Sequence, residues 1–282
     1  MAIMLTFKMK IWKWAVLFLL IYSSFFYSII SYAQTHEKPS VLLGKSEYKY
    51  KLILKVDFKK REKILKENGE TPTIYDKALS LINGDFYAAD VIDIVDQNAS
   101  VLKISSVMSP TSVLSYALGD KVLRRDSLST LEKSGLSSTS YAEKRGDSPR
   151  TTARTDYKTM KVSFYEGPKL ERVEGIKTES LDMLSVIYQG VGLATKGKSY
   201  LINNSKSVKP MTFEVGEIWD ISINGKKYKA KRYYKKTTKA DSATFDIWID
   251  EETKIPLRYQ IGLSDSYGAT MLFELNSYKK LN

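Results

Sequence analysis

The sequence predicts a mainly β protein: an antiparallel half-barrel or curved sheet with one or two short helices packed on or across it. Three observations carry this. Glu47 to Phe58 alternates, with Tyr48, Tyr50, Leu52, Leu54, Val56 and Phe58 on one side and mainly Lys49, Lys51 and Lys55 on the other, and period two means a strand with one buried face. Asn224-Gly225 separates two alternating runs, a strong hairpin signal because both turn residues must take positive φ. Helical periodicity is clearest in one place, where Leu181, Leu184, Ile187, Tyr188 and Val191 recur at three and four residues.

The elements follow in order. After the first strand, Lys59 to Leu81 reads as a loop and a short helix, with Ile74, Ala78, Leu79 and Ile82 at near-helical spacing after Pro72. Phe86 to Ile94, Val101 to Met108 and Ser112 to Leu118 are short apolar or alternating runs separated by Asn, Asp, Gly and Pro, and read as strands with turns. Between Asp126 and Thr155, 12 of 30 residues are Ser or Thr. Composition leaves two readings open there, a flexible loop or an exposed polar pair of strands, because Thr favours strands while Ser and Gly favour loops. Asp156 to Tyr165 resumes a strand pattern, which Gly167 and Pro168 break.

For the helical stripe, Ser180 is the expected N-cap and Gly190 and Gly192 the expected end. Thr212 to Ile223 and Lys226 to Lys236 flank the Asn-Gly turn. A second hairpin joins Phe245–Asp250 to Ile255–Ile261, with Pro256 near the start of its strand, where a missing N–H is tolerated. Ala269 to Tyr278 closes or flanks the sheet.

The N-terminus has a different character. Lys8, Lys10 and Lys13 precede a charge-free run from Trp14 to Ile30, and Ser31 and Ala33 present small residues at the spacing of a signal-peptidase site. The expectation is a signal peptide over 1–33 and a single β-rich envelope domain over 34–282. An uncleaved anchor is the competing reading, since Trp14 to Ala33 as a helix reaches roughly the 30 Å of a bilayer core. Cleavage removes three lysines and no acid, so the net charge falls from +12 to about +9, 41 basic against 32 acidic side chains. With no cysteine in the chain, neither a lipobox nor a disulfide is available.

Several chemistries lack their parts. The one histidine, His36, lies in the mature N-terminus, which gives Ser-His-Asp catalysis and histidine metal sites no centre. No glycine-rich phosphate loop or nucleophile elbow occurs. Glu251 and Glu252 fit a hairpin turn better than a catalytic carboxylate pair.

Four segments carry a resemblance. EYKYKLIL (47–54), SLDMLSVIYQGVGL (180–193), NGKKYKAKRY (224–233) and FDIWIDEETKIPLRYQI (245–261) resemble, in order and spacing, the exported domain-of-unknown-function family 3108, over residues 45–280. The resemblance implies a periplasmic β-protein of Gram-negative bacteria and gives no activity. A tryptophan strand, an acidic turn and Leu or Ile before Pro are also similar to the lipoprotein-carrier superfamily, whose half-barrels wrap a helix and hold acyl chains.

The expected function is therefore non-catalytic: a periplasmic carrier or binding protein for a lipidic or amphipathic envelope component. Its candidate ligand-contacting residues are Leu181, Leu184, Tyr188 and Trp248. The alternative is a glycan- or peptidoglycan-associated module using a basic, Tyr-rich strand face, on which Lys227, Lys229, Lys231 and Lys235 alternate with residues turned the other way. Candidate partners are lipid, lipopolysaccharide or an acidic glycan; nucleic acid is not expected, membrane contact is peripheral at most, and a monomer without metal or cofactor is expected.

Overall fold

A computed structural model describes residues 44–67, 69–71, 84–111, 115, 121–132, 135–189, 199–237, 243–262 and 269–281. The N-terminal segment read as a signal peptide lies outside them. Among the described residues no helix is long and apolar enough to cross a membrane.

The strands are β1 (Gly44–Val56), β2 (Gly84–Gln97), β3 (Val101–Pro110), β4 (Leu123–Glu132), β5 (Gly135–Arg145), β6 (Thr151–Asp156), β7 (Lys161–Glu166), β8 (Lys169–Gly175), β9 (Ser180–Asp182), β10 (Ser199–Asn203), β11 (Val208–Ile223), β12 (Lys226–Lys235), β13 (Phe245–Asp250), β14 (Pro256–Gly262) and β15 (Ala269–Leu281). Among the described residues two short helices have both ends described, α1 (Phe58–Glu67) and α2 (Ser185–Gln189). The fold class expected from the sequence is observed: one large curved, unclosed sheet.

The sheet runs β8-β7-β6-β5-β4-β3-β2-β1-β15-β14-β13-β12-β11-β10-β9. It is a meander in which the first strand pairs with the last, and its two edges, β8 and β9, are consecutive in the chain. Every neighbouring pair is antiparallel except β9 with β10. The edges still approach through side chains: Leu201 and Val208 of β10 and β11 pack on Ala153, Val162 and Phe164 of β6 and β7, and Arg172 of β8 donates to the Lys206 carbonyl. The strip carrying β9 and β10 thus lies against the inner side of the β4–β7 arm, and the sheet rolls without closing.

Local chemistry explains where the elements depart from the sequence reading. The charged stretch expected to be a loop forms α1, supported by the Lys63–Glu67 and Glu62–Lys66 pairs one turn apart; the helix expected after Pro72 lies outside the described residues. Of Ser112 to Leu118, read as a strand, only Ser115 is described, and it is helical. The Ser/Thr-rich segment is not a flexible loop, since it lies largely in β4, β5 and β6, and Ser127, Ser129, Ser137 and Ser138 are buried rather than exposed. Asp156 to Tyr165 is split by a turn at 157–160, where Asp156 accepts from Lys158 N–H and the Thr159 hydroxyl.

Among the described residues the stripe from Leu181 is helical over Ser185–Gln189; Val191 and the expected end at Gly190 and Gly192 lie outside them. Ser180 to Asp182 pairs as a strand, and the cap is Asp182, not Ser180. Its Oδ1 accepts from the backbone N–H groups of Leu184 and Ser185, while Ser185 Oγ accepts from the Asp182 N–H. This is a reciprocal cap, with Ser in the place of Glu or Gln. Asn224 and Gly225 have φ of 49° and 79°, the left-handed pair that the hairpin turn requires.

Candidate functional site

Residues that face one another across an antiparallel pair share a side of the sheet. Tyr50, Val91, Asp93, Ser106, Arg125, Ser127, Ile247, Tyr259 and Phe273 therefore occupy the inner side, which carries α2. All five residues of α2 are buried. Tyr188 donates to Asp93 Oδ2 at 2.8 Å, and its ring meets that of Tyr48 edge-on at 5.2 Å. Ser127 donates to Asp182 Oδ2 at 2.7 Å, and the Leu136 N–H donates to Gln189 Oε1 at 2.9 Å.

The interior under α2 is polar for a protein core. Asp93 and Asp182 are 0% exposed, and burial pushes both carboxyls above their ordinary value. For Asp93 this is opposed by the Arg125 charge and by hydrogen bonds from Ser106 and Tyr188; for Asp182 it is opposed by hydrogen bonds from Ser138, Ser127 and the backbone of the α2 turn. Burial also works against the Arg125 charge, but Tyr259, Tyr141 and Asp93 more than offset it and hold the guanidinium firmly charged. Arg125 donates to the Ser106 hydroxyl at 2.9 Å. Tyr50, Tyr141 and Tyr188 are kept neutral first by burial.

The same side changes character toward the end of the sheet where β1, β12 and β14 stop and β2, β13 and β15 begin. Phe245 faces Ile261, Ile261 faces Met271, Met271 faces Leu54, and Leu54 faces Phe86. Met108 lies on the same side beside Val91. Phe245 is buried; Leu54, Phe86, Met108, Ile261 and Met271 are half-buried and rest on the main core. The facing pairs of this apolar band run across five neighbouring strands, β13 to β2 in sheet order, and Met108 of β3 stands farther along beside Val91.

The outer side is covered in part by the chain itself. β12 pairs with β13 only from Ala230 to Tyr234, so the tip of the β11–β12 hairpin continues past β13 and lies over β14 and β15. Asn224 Nδ2 donates to the Asn276 carbonyl, and a depression of about 190 Å³ between them is lined by Lys51, Ser222, Arg258 and Glu274. Trp219 of the hairpin meets Trp248 at 5.3 Å, and Arg232 lies over Tyr234, Trp219 and Trp248 at 4.8, 5.9 and 5.8 Å. That cover, with the core on the other side, is why all six residues of β13 are buried.

The structure sorts the sequence-derived candidates accordingly. Leu181, Leu184 and Tyr188 come together on the inner side at 2%, 0% and 3% exposure, sealed in core packing. Trp248 is also buried but points to the outer side under Trp219. Of the lysines, Lys227 and Lys229 are exposed and Lys231 half-buried; Lys235 departs from the expected solvated row, 7% exposed with its Nζ donating to the Ala243 carbonyl. The chain twists between the hairpin tip, which is free on this side, and the base, which turns the same side to the core at Tyr233. The apolar band was not anticipated as a site. Its strands were each expected from the sequence, but only the register across strands unites them.

Among the described residues no group of three or more His, Asp or Glu side chains is placed to hold a metal ion. A second depression, about 500 Å³, is lined by Ser137, Tyr157, Met160, Lys177, Thr178 and Glu179.

No protein-family model and no curated protein matches the chain, so membership of family 3108 finds no support. Among solved structures the chain is similar to a domain from Vibrio parahaemolyticus described as an outer membrane lipoprotein-sorting protein domain, at 9% identity and a TM-score of 0.26, covering 85% of this chain and 86% of that one. A likeness at that level lends this chain no residue role and no activity.

Proposed function

We propose that the chain, exported and cleaved after Ala33, is a non-catalytic binding protein of the cell envelope that holds the apolar part of a lipidic or amphipathic molecule. The apolar band of Leu54, Phe86, Met108, Ile261 and Met271 carries this reading. Leu54, Phe86, Ile261 and Met271, apolar and half-buried, face one another across neighbouring strands, and Met108 is half-buried beside Val91, on the side of the sheet that is sealed under α2. Binding faces for apolar molecules are concave and mostly apolar, and methionine adapts its shape to varied occupants. The glycan reading has less support, because it needs lysines and tyrosines on one open face. On β12 they are parted: Tyr233 is in the core, while Tyr228 and Tyr234 share the covered side with Arg232.

The test is uptake of a fluorescent fatty acid by the purified protein, paired with native mass spectrometry of protein taken from its own envelope. Bound lipid, and loss of uptake in Phe86→Ser and Met271→Ser with folding retained, are expected. A ligand-free mass together with no uptake by the unmodified protein would overturn the proposal.

A further inference from the structure

The outward side of the β11–β12 hairpin tip is the second surface with an unspent chemistry. Register places Ile218 opposite Lys231, Asp220 opposite Lys229 and Ser222 opposite Lys227, so these six side chains share one side. It is the side turned away from Trp248, since Trp219 and Ala230 occupy the other. Ile218 is 52% exposed and Val215, at the adjoining register position opposite Tyr233, is 46% exposed.

The basic groups around the hairpin are unequally used. Lys236 is paired with Glu214, Arg232 with Asp246 and Arg258 with Glu274. Among the described residues, Lys227, Lys229 and Lys231 have no carboxylate within ion-pair distance, Asp220 included. A row of lysines alone is an ordinary way to keep an edge soluble. That explanation does not account for two large aliphatic side chains standing exposed beside the lysines, where a solubilising face would carry polar residues.

We infer that this side of the hairpin is a docking surface for an anionic lipid bilayer. The lysines supply attraction to the negative headgroups, and Val215 and Ile218 supply apolar anchors that enter the interface. Charge complementarity selects the occupant: Asp220 and Glu251, the latter facing Lys229 from the end of β13, stand against three unpaired lysines and leave a small local excess of positive charge, and unpaired lysines near an anionic surface each add to adsorption within a Debye length of it, about 8 Å at physiological ionic strength. The aliphatic pair separates a bilayer from an acidic polysaccharide, which has headgroup-like charge but no hydrocarbon to receive Ile218. The hairpin is braced for this by the Trp219–Trp248 contact and by Asn224 on Asn276, so the surface is presented by a fixed element. The inference stands on the hairpin alone, independent of the apolar band.

The experiment is co-sedimentation of the full chain with vesicles of phosphatidylcholine, with and without phosphatidylglycerol, and in parallel with a soluble acidic polysaccharide. Lys227→Gln/Lys229→Gln/Lys231→Gln and Val215→Ser/Ile218→Ser are compared with the parent, so that every other segment is held constant. The expected result is preferential binding to phosphatidylglycerol vesicles that the triple Gln variant lowers on the order of 100-fold at low salt. The Ser pair should weaken the binding that survives high salt, with unchanged thermal melts throughout. Equal binding of parent and triple variant, no preference for the anionic vesicles, or charge-dependent binding to the polysaccharide with none to vesicles would overturn it. Phe86→Ser and Met271→Ser should lose fatty-acid uptake yet keep vesicle binding, which separates failure of this surface from failure of the band.

Discussion

The inner side of the sheet holds two regions built from the same strands. Under α2 the side chains are polar and aromatic, and the chain's own segment from Ser180 to Gln189 fills the space, with Leu184 at 0% exposure and Tyr188 bonded to Asp93. At the end marked by Leu54, Phe86 and Met271 the side chains are apolar and only half-buried. One region is a finished core, and the other is a half-buried edge of that core. The helix is a plug in the core, and the proposed binding face is the set of half-buried apolar side chains on the strands beside it.

The two regions should respond differently to change. The largest effect is expected from Asp93→Ala, which leaves the buried Arg125 charge without its acidic neighbour and should cost about 3 to 5 kcal/mol in denaturant unfolding. Leu184→Ala should cost about 2 to 5 kcal/mol, the range for a sealed leucine, and leave fatty-acid uptake unchanged in what remains folded. Met271→Ala, in the half-buried band, should cost about 1 to 2 kcal/mol, less than the sealed leucine because part of its surface is already accessible, yet reduce uptake. A full-sized cost there would show the band to be ordinary core.

A smaller effect follows from the raised carboxyls. Burial makes the folded chain bind the Asp182 proton more tightly than the unfolded chain does. Stability from this source is full below the unfolded pKa, about 4, and is lost as pH rises through the folded value. Stability measured upward from pH 4 should therefore decline, and Asp182→Asn should flatten that slope while weakening the α2 cap. A slope unchanged in the variant would place the titrating group elsewhere.

Much of the fold was legible because it rests on local rules. Alternation located β1 and β12, Asn224-Gly225 announced its turn, and Pro256 stands where a strand begins. Composition left β4 to β6 undecided because the serines of β4 and β5 are buried by the inward-lying strip of β9 and α2, a contact made across more than 40 residues. The stripe from Leu181 overstated the helix because periodicity sees spacing and not the cap at Asp182, which starts the turn two residues later. For the site, the residues of the stripe were identifiable as apolar, but whether they line space or fill it depends on what stands opposite. The band could not be read at all, since Phe245, Ile261, Met271, Leu54 and Phe86 are neighbours only through register.

The most direct measurement is to set uptake of a fluorescent fatty acid against unfolding free energy for Leu184→Ala and Phe86→Ser side by side. Leu184→Ala should lose stability and keep uptake, while Phe86→Ser should lose uptake at small cost in stability. The reverse pattern, with uptake sensitive to Leu184 and indifferent to Phe86, would contradict the account by placing the ligand under the helix.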